Sequence, residues 1–337
     1  MDSIKKYSSL LKEQIIQELE KIESPEIGIW NKDTIERIKN FSTNGKLVRG
    51  ALICMIEEKV KKTISKNSLK AGAGLELFQS GLLIHDDIID KDQMRRGEYS
   101  IHYQYTNMFK DNSKDPNRTG ESLGICLGDI CFFLGFKILS SIKNKKKSLS
   151  IIDLISKEMV YVGMAQMQDI YFSDVKNTDP TYEDIYKLYV YKTARYSFSL
   201  PLMIGGIISE INKNEIKKLS KIGEDIGVLF QIKDDQIDIF SSTEEIGKPV
   251  GSDIYNEKKT VYYYYINNYL KRKNKKISDY SLEEIKGIIS NKGIDKKIEK
   301  IVKDISSRIY RKIEKIKNEE MRKIIIELTK YTVERKK

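Results

Sequence analysis

Two aspartate triplets with identical spacing stand out in the sequence, and carboxylates so arranged are ligands for divalent cations. "HDDIIDKDQMRRG" contains Asp86, Asp87 and Asp90; "QIKDDQIDIF" contains Asp234, Asp235 and Asp238. The second triplet begins 148 residues after the first (234 minus 86). On a helix, residues i and i+4 share a face about 6 Å apart along the axis, while residue i+1 is rotated by roughly 100°. One triplet can therefore hold a cation with two carboxylates from one face. A lone triplet reads equally well as an exposed acidic turn. Two copies, each closing an apolar run, do not, because carboxylates beside a core repel one another and need cations to offset their desolvation. Magnesium suits such oxygen ligands and often completes its shell with substrate phosphates.

Basic residues lie close to these triplets in short motifs. Lys46 and Arg49 form K-x-x-R, Arg95 and Arg96 follow the first triplet, Lys192 stands in "YKTARYS", and Lys248 and Lys258 occur in "GKPVGSDIYNEKKT". Taken with the triplets, they suggest one or two polyanionic ligands. No G-x-x-x-x-G-K-[ST] and no H-E-x-x-H occurs, which excludes the P-loop and zincin routes. His85 and His102 are too few for most zinc sites. Cys54, Cys126 and Cys131 form no C-x-x-C and sit in apolar surroundings, so buried free thiols of a reducing compartment are expected. The net charge of +11 admits nucleic acid, an anionic membrane or an anionic substrate, and is also what lysine-rich solvated helices produce.

The elements that position these residues read as helices throughout. Only 5 prolines occur in 337 residues, and apolar residues recur at three- and four-residue spacing. Helices are expected at 3–23, over "NKDTIERIKNF" with Asn31 or Asp33 as cap, over "LVRGALICMIEEKV", and from 69 to 90. Others are expected at 121–142, 149–172, 181–193, 195–209, 213–241 and 257–270. "KDQMRRGEYS" and "KDNSKDPNRTGES" read as loops, and the tail 280–337 as helical with breaks at Gly287 and Gly293. No strand–turn–strand pattern stands out. The amphipathic N-terminus does not read as a signal peptide. "LGICLGDICFFLGFKIL" is interrupted by Asp129 and Lys137, so a buried helix is expected rather than a membrane span. The expectation is one all-α domain over 1–337 with no linker.

These motifs, in this order over residues 44–260, resemble the trans-isoprenyl diphosphate synthases, the farnesyl and geranylgeranyl diphosphate synthase family. The two triplets resemble its first and second aspartate-rich motifs. "GKLVRG" resembles its glycine–lysine–x–x–arginine element, "AQMQD" its G-Q-x-x-D element with Ala165 for glycine, and "YKTARYSFSLPL" its lysine–threonine segment. The resemblance implies the isoprenoid synthase fold, a single large bundle of antiparallel helices around a deep central cavity, as a cytoplasmic homodimer. It implies magnesium-dependent condensation of isopentenyl diphosphate with an allylic diphosphate. Asp86 and Asp90 on one wall and Asp234 on the other would bind three magnesium ions, with Asp87, Asp235 and Asp238 assisting. Arg95, Lys192, Lys248 and Lys258 would hold the allylic diphosphate. Lys46, Arg49, Gln79 and Arg96 would hold isopentenyl diphosphate. Thr193 and Gln231 would present oxygens to the allylic cation, and the released diphosphate would take the final proton. Apart from the resemblance, the C-terminal "ERKK" reads first as a solvated tail, the sharper alternative being that Arg335 and Lys336 fold over bound isopentenyl diphosphate.

Departures from the family pattern are few. Gln79 stands where many members have histidine and keeps a donor for phosphate. Asn44 replaces a common glycine, Leu47 an arginine and Gly50 a proline. Both aspartate motifs are intact, unlike those of inactive partner subunits. Product length in the family follows the residues before the first aspartate. Leu82 and Gly81 leave room where a phenylalanine would stop growth at fifteen carbons, and Phe78, about 12 Å from Asp86 along the axis, is the expected floor. That implies geranylgeranyl diphosphate, with farnesyl diphosphate or a twenty-five-carbon product as alternatives. A class I terpene cyclase would have a different second motif and no use for K-x-x-R. A basic helical nucleic-acid binder would leave the paired triplets without a purpose, so no nucleic-acid partner is expected.

Overall fold

The protein is all-α. The computed structural model describes residues 2–23, 25–175, 178–241 and 251–335. The chain divides into two compact units, one of Met1–Asp153 with Ile204–Glu210, the other of Leu154–Met203 with Ile211–Lys337.

In the first unit the helices are α1 (Asp2–Leu19), α2 (Trp30–Thr43), α3 (Val48–Lys61), α4 (Lys66–Ile89), α5 (Ile101–Met108) and α6 (Pro116–Ser140). Ser65 starts α4 by accepting the Ser68 N–H, the cap chemistry expected of serine. α4 is buried along almost its whole length, and α6 packs against it through small residues. A Cβ at Gly81 would stand 2.7 Å from the Gly128 carbonyl oxygen, and one at Gly135 3.1 Å from that of Gly74. No larger residue lets two helix backbones come this close. α6 is long and apolar enough to cross a bilayer by length and composition, but here one of its faces is seated on α4.

Two expectations fail locally in this unit. Pro116 does not mark a loop. It opens α6 one residue after Asp115, whose carboxylate caps the helix by accepting the Arg118 N–H. Proline in the first turn gives up an N–H that has no helical partner there. "KDQMRRGEYS" is also more ordered than a loop, because β1 (Met94–Arg95) pairs antiparallel with β2 (Glu98–Tyr99). Arg96 and Gly97, at φ 55° and 81°, form the two-residue turn between them. Two positive φ values in succession are what a tight hairpin with the native strand twist requires.

The second unit is built around α10 (Lys213–Phe240), which packs along the segment Tyr189–Ser199. That segment was expected to divide into two α-helices near residue 194. It is instead a π-helix continuing α8 (Tyr182–Leu188) into α9 (Leu200–Ile208). A Cβ at Gly227 would lie 2.3 Å from the Ala194 Cα, so α10 approaches the π-helix as closely as a glycine permits. Further helices follow, among them Val261–Lys271, Leu282–Asn291, Ile294–Ile313 and Glu319–Glu334. Gly287 lies inside one of them, whereas Gly293, at φ 62°, does separate two.

Candidate functional site

At the C-terminal end of α4 the first triplet divides into outward and inward carboxylates. Asp86 and Asp90 are half-buried one helical turn apart, whereas the Asp87 side chain is 0% exposed. Arg95 reaches back from β1, its Nε donating to Asp87 Oδ1 at 2.7 Å and its Nη2 to the same oxygen. Burial pushes the Asp87 carboxyl up to about 6, against the pull of Arg95. The hairpin explains the fates of the two arginines. Neighbours along a strand and turn point apart, so Arg95 meets Asp87 while Arg96 lies against Gly45. There Arg96 Nη1 donates to the Phe41 carbonyl at 3.4 Å, with the guanidinium carbon 5.9 Å from the Phe41 ring centre.

Arg96 thereby joins the K-x-x-R element. Lys46 is exposed just before α3, and Arg49 is half-buried in its first turn. Leu47 between them holds a left-handed φ of 49°. Gln79 is buried on α4, one turn beyond Glu76. Glu76, which the sequence reading missed, accepts the Gly50 N–H at 2.8 Å and feels the charges of both Arg49 and Arg96.

Below Asp86, the product-length residues of α4 lie against aromatic side chains of α6. Gly81 leaves no open space toward α6, because the Phe132 ring lies 2.6 Å from where its Cβ would stand. Phe78 is buried, stacks on Phe132 with ring centres 6.0 Å apart and meets Phe136 edge-on at 4.8 Å. Leu82 is half-buried. Phe132 and Phe136 of α6 belong to none of the sequence motifs.

In the second unit the first and middle aspartates on α10 divide in the same way, whereas the last, Asp238, is buried where Asp90 is not. The Asp234 side chain is 51% exposed and accepts from Arg335 Nη2 at 3.0 Å, with the Arg335 guanidinium 4.0 Å above the Phe230 ring. Lys336, expected to act beside Arg335, lies outside the described residues. Asp235 is only 2% exposed. It accepts from the Tyr189 hydroxyl and, at 2.9 Å, from Gln231 Nε2. Burial and the nearby Asp253 hold its carboxyl well above the usual range, despite those two donors. Asp238 is buried and accepts the Asp253 N–H at 3.1 Å.

The inward Asp235 orients a chain of polar groups. The Tyr189 hydroxyl accepts the Val261 N–H at 2.8 Å while donating to Asp235. With its amide nitrogen committed to Asp235, Gln231 offers its oxygen to the Thr193 hydroxyl at 2.9 Å. The π-helix supplies both Tyr189 and Thr193. Such segments occur often at functional sites. Lys192 on the same segment donates to Asp169 of "AQMQD", a pairing of two motifs that the sequence did not reveal. Lys258 is half-buried, and Lys248 lies outside the described residues.

These residues fit magnesium. Among the described residues no group of three or more His, Cys, Asp or Glu side chains is arranged to hold an ion by itself. Magnesium is commonly held by one or two carboxylates, with water and substrate phosphate as its other ligands. Asp86 with Asp90, and Asp234, match that pattern.

The Polyprenyl synthetase family model matches residues 34–305. Over 217 residues the chain is 33% identical to the short chain isoprenyl diphosphate synthase of Methanocaldococcus jannaschii, covering 64% of this chain and 61% of that protein. It is 30% identical to the geranylgeranyl diphosphate synthase of Sulfolobus acidocaldarius, covering 66% and 62%. The match thus spans about three fifths of these curated relatives. The crystal structure of geranylgeranyl pyrophosphate synthase from Corynebacterium glutamicum, complexed with isoprenyl diphosphate and magnesium, superposes with a TM-score of 0.87. It covers 98% of this chain and 99% of that one at 25% identity.

The outward and inward carboxylates should separate in stability measurements. Asp235→Ala strands the Tyr189 hydroxyl and the Gln231 amide, at a cost of about 2–4 kcal/mol. Asp234→Ala breaks a single pair whose carboxylate is half exposed, at a cost of about 1 kcal/mol. Differential scanning calorimetry should show a clearly larger fall in Tm for Asp235→Ala. Equal losses would contradict the division.

Proposed function

The chain belongs to the polyprenyl synthetase family, and from that premise we propose that it is an active short-chain trans-isoprenyl diphosphate synthase. It joins isopentenyl diphosphate to an allylic diphosphate, with geranylgeranyl diphosphate as the main product. The observation that carries this reading is the outward placement of Asp86, Asp90 and Asp234 while their motif neighbours are turned inward and neutralised. The names of the curated relatives support it, as does the magnesium and isoprenyl diphosphate of the Corynebacterium complex.

Asp86, Asp90 and Asp234 are the proposed ligands of three magnesium ions. Bound magnesium neutralises the charge that develops on the departing diphosphate. Lys192, Lys248, Lys258 and the donors of Arg95 not used by Asp87 hold that diphosphate as its carbon–oxygen bond breaks. Lys46, Arg49, Gln79 and Arg96 hold isopentenyl diphosphate, whose double bond attacks the allylic carbon. Thr193 gives its proton to Gln231, so its lone pairs are what it presents to positive charge. The apolar end of α4 excludes water that would otherwise trap the cation. The attacked product then loses a proton to the released diphosphate.

The tail grows along α4 until it meets Phe78, which Phe132 and Phe136 brace from α6. Three rings in contact make a firmer stop than one phenylalanine.

We also propose that the enzyme is a cytoplasmic homodimer. Val160, Met164, Met167 and Tyr171 are exposed at spacings of four, three and four on α7 (Lys145–Asp174), within the second unit. Such a stripe is the kind that pairs with a second copy of itself.

Three outcomes are expected. Incubated with magnesium, isopentenyl diphosphate and dimethylallyl, geranyl or farnesyl diphosphate, the protein should give mainly twenty-carbon product; no elongation from any starter would overturn the reading. Phe78→Ala and Phe132→Ala should each shift the products longer by chromatography, and an unchanged distribution in both would remove the aromatic floor. Met167→Glu should move the protein from dimer to monomer in light scattering, and persistence of the dimer would rule out this face.

A further inference from the structure

We propose that Glu76 is a positioning residue for the homoallylic diphosphate, acting as the N-terminal cap of α3 from a neighbouring helix. The inference rests on the reading that Lys46, Arg49 and Arg96 bind isopentenyl diphosphate, and it adds a residue that no motif contains.

The start of α3 lacks a cap of its own. Its N-cap is Leu47, which has no side-chain acceptor and holds a left-handed φ of 49°. A helix begins with N–H groups that have no partner, and an uncapped start frays. Here the partner comes from α4. Glu76, 4% exposed, accepts the Gly50 N–H at 2.8 Å and also bonds the Arg49 N–H. α3 and α4 approach closely enough for this because Gly50 and Gly72 meet face to face. A Cβ at Gly50 would lie 3.1 Å from the Gly72 Cα and carbonyl oxygen. Glu76 follows Gly72 by one turn, at the height of the first turn of α3.

A carboxylate is an expensive cap to bury, and a serine at position 47 would serve the helix alone. What the longer side chain adds is reach from α4, so that one acceptor caps α3 and ties the two helices together. Burial pushes its carboxyl up from the ordinary range, and Arg49 and Arg96 pull it down. Glu76 therefore fixes the backbone at Arg49 and Gly50, where it also feels the charges of Arg49 and Arg96. Its own helix carries Gln79 one turn further on. One buried side chain thus fixes the spacing between α3, which carries Arg49 just after Lys46, and α4, which carries Gln79. A strained Leu47 is the geometry to be maintained, because without the cap that linkage relaxes and Lys46 swings with it.

Three variants of the full-length enzyme separate this role from a general effect on folding. Glu76→Gln keeps the reach and an acceptor oxygen, Glu76→Asp keeps the charge but draws the acceptor back by one methylene, and Glu76→Ala removes both. The expected result is a KM for isopentenyl diphosphate within about threefold of wild type for Gln, higher for Asp, and about tenfold or more higher for Ala. The KM for the allylic diphosphate and kcat at saturation should stay within about twofold. If Glu76→Ala does not fold, the order of Gln and Asp decides. Asp worse than Gln supports the cap, and Gln as damaging as Asp overturns it. A fall in Tm with the KM for isopentenyl diphosphate unchanged in Asp and Ala, or parallel changes for both substrates, would also overturn it. A wild-type enzyme with no saturable dependence on isopentenyl diphosphate would instead refute the proposed function, leaving the capping geometry untouched.

Discussion

Carboxylates at the C-terminal end of a helix oppose the helix dipole, and six of them at the ends of two helices are the constraint around which the structure is arranged. Asp86, Asp87 and Asp90 close α4; Asp234, Asp235 and Asp238 lie in the last two turns of α10. The response has a common form. In each triplet the middle aspartate turns inward and is neutralised, while the first stays accessible. The means differ. Asp87 is matched by a cation, Arg95, delivered by a two-residue hairpin. Asp235 is matched by neutral donors, Tyr189 and Gln231, and by a carboxyl group held toward its protonated form. Asp238 accepts a backbone N–H instead.

That asymmetry shapes the surroundings. An inward carboxylate needs a partner that arrives at a fixed place, so the elements carrying the partners have exact lengths. Arg95 reaches Asp87 because only four residues separate the end of α4 from β1, with Lys91 at a left-handed φ of 58°. Tyr189 reaches Asp235 because the helix after Leu188 widens to π geometry and Gly227 lets it lie against α10. Each inward aspartate then holds another polar side chain in place. Asp235 orients Gln231 and through it Thr193, and Asp87 keeps Arg95 beside the outward pair.

Much of this was legible in the residues and some was not. The helical periodicity, the triplets and the basic motifs could all be read because each is local, set by spacing along one element. Pro116 was misread because a proline within a polar stretch signals a loop and a helix start alike, and the Asp115 cap decides between them. The hairpin at Arg96 and Gly97 hid because two-residue strands leave no alternation to see. Glu76, Tyr189, Asp169 and Phe132 lay beyond reach for another reason. Their roles exist only across two elements, as partners of Gly50, Asp235, Lys192 and Phe78. The room expected at Gly81 shows the same limit from the other side. A glycine reads as space, but in a packed pair of helices it is the place where the neighbour comes closest.

The division of the triplets also bears on when metal binds. The outward carboxylates are three, each with one negative charge, and Asp234 already shares its charge with Arg335. Three divalent cations carry six positive charges, twice what those carboxylates can balance. The remaining negative charge must come from elsewhere, and an allylic diphosphate supplies about three. On the proposed reading the ions and the diphosphate are therefore held together or hardly at all. If the inward aspartates had faced out instead, six carboxylates could have balanced three ions without substrate, and the metals would have had no need to wait for it. On the same reading, burying Asp87, Asp235 and Asp238 would keep the protein's own affinity for metal low, so that the ions would be held well only once the diphosphate is present.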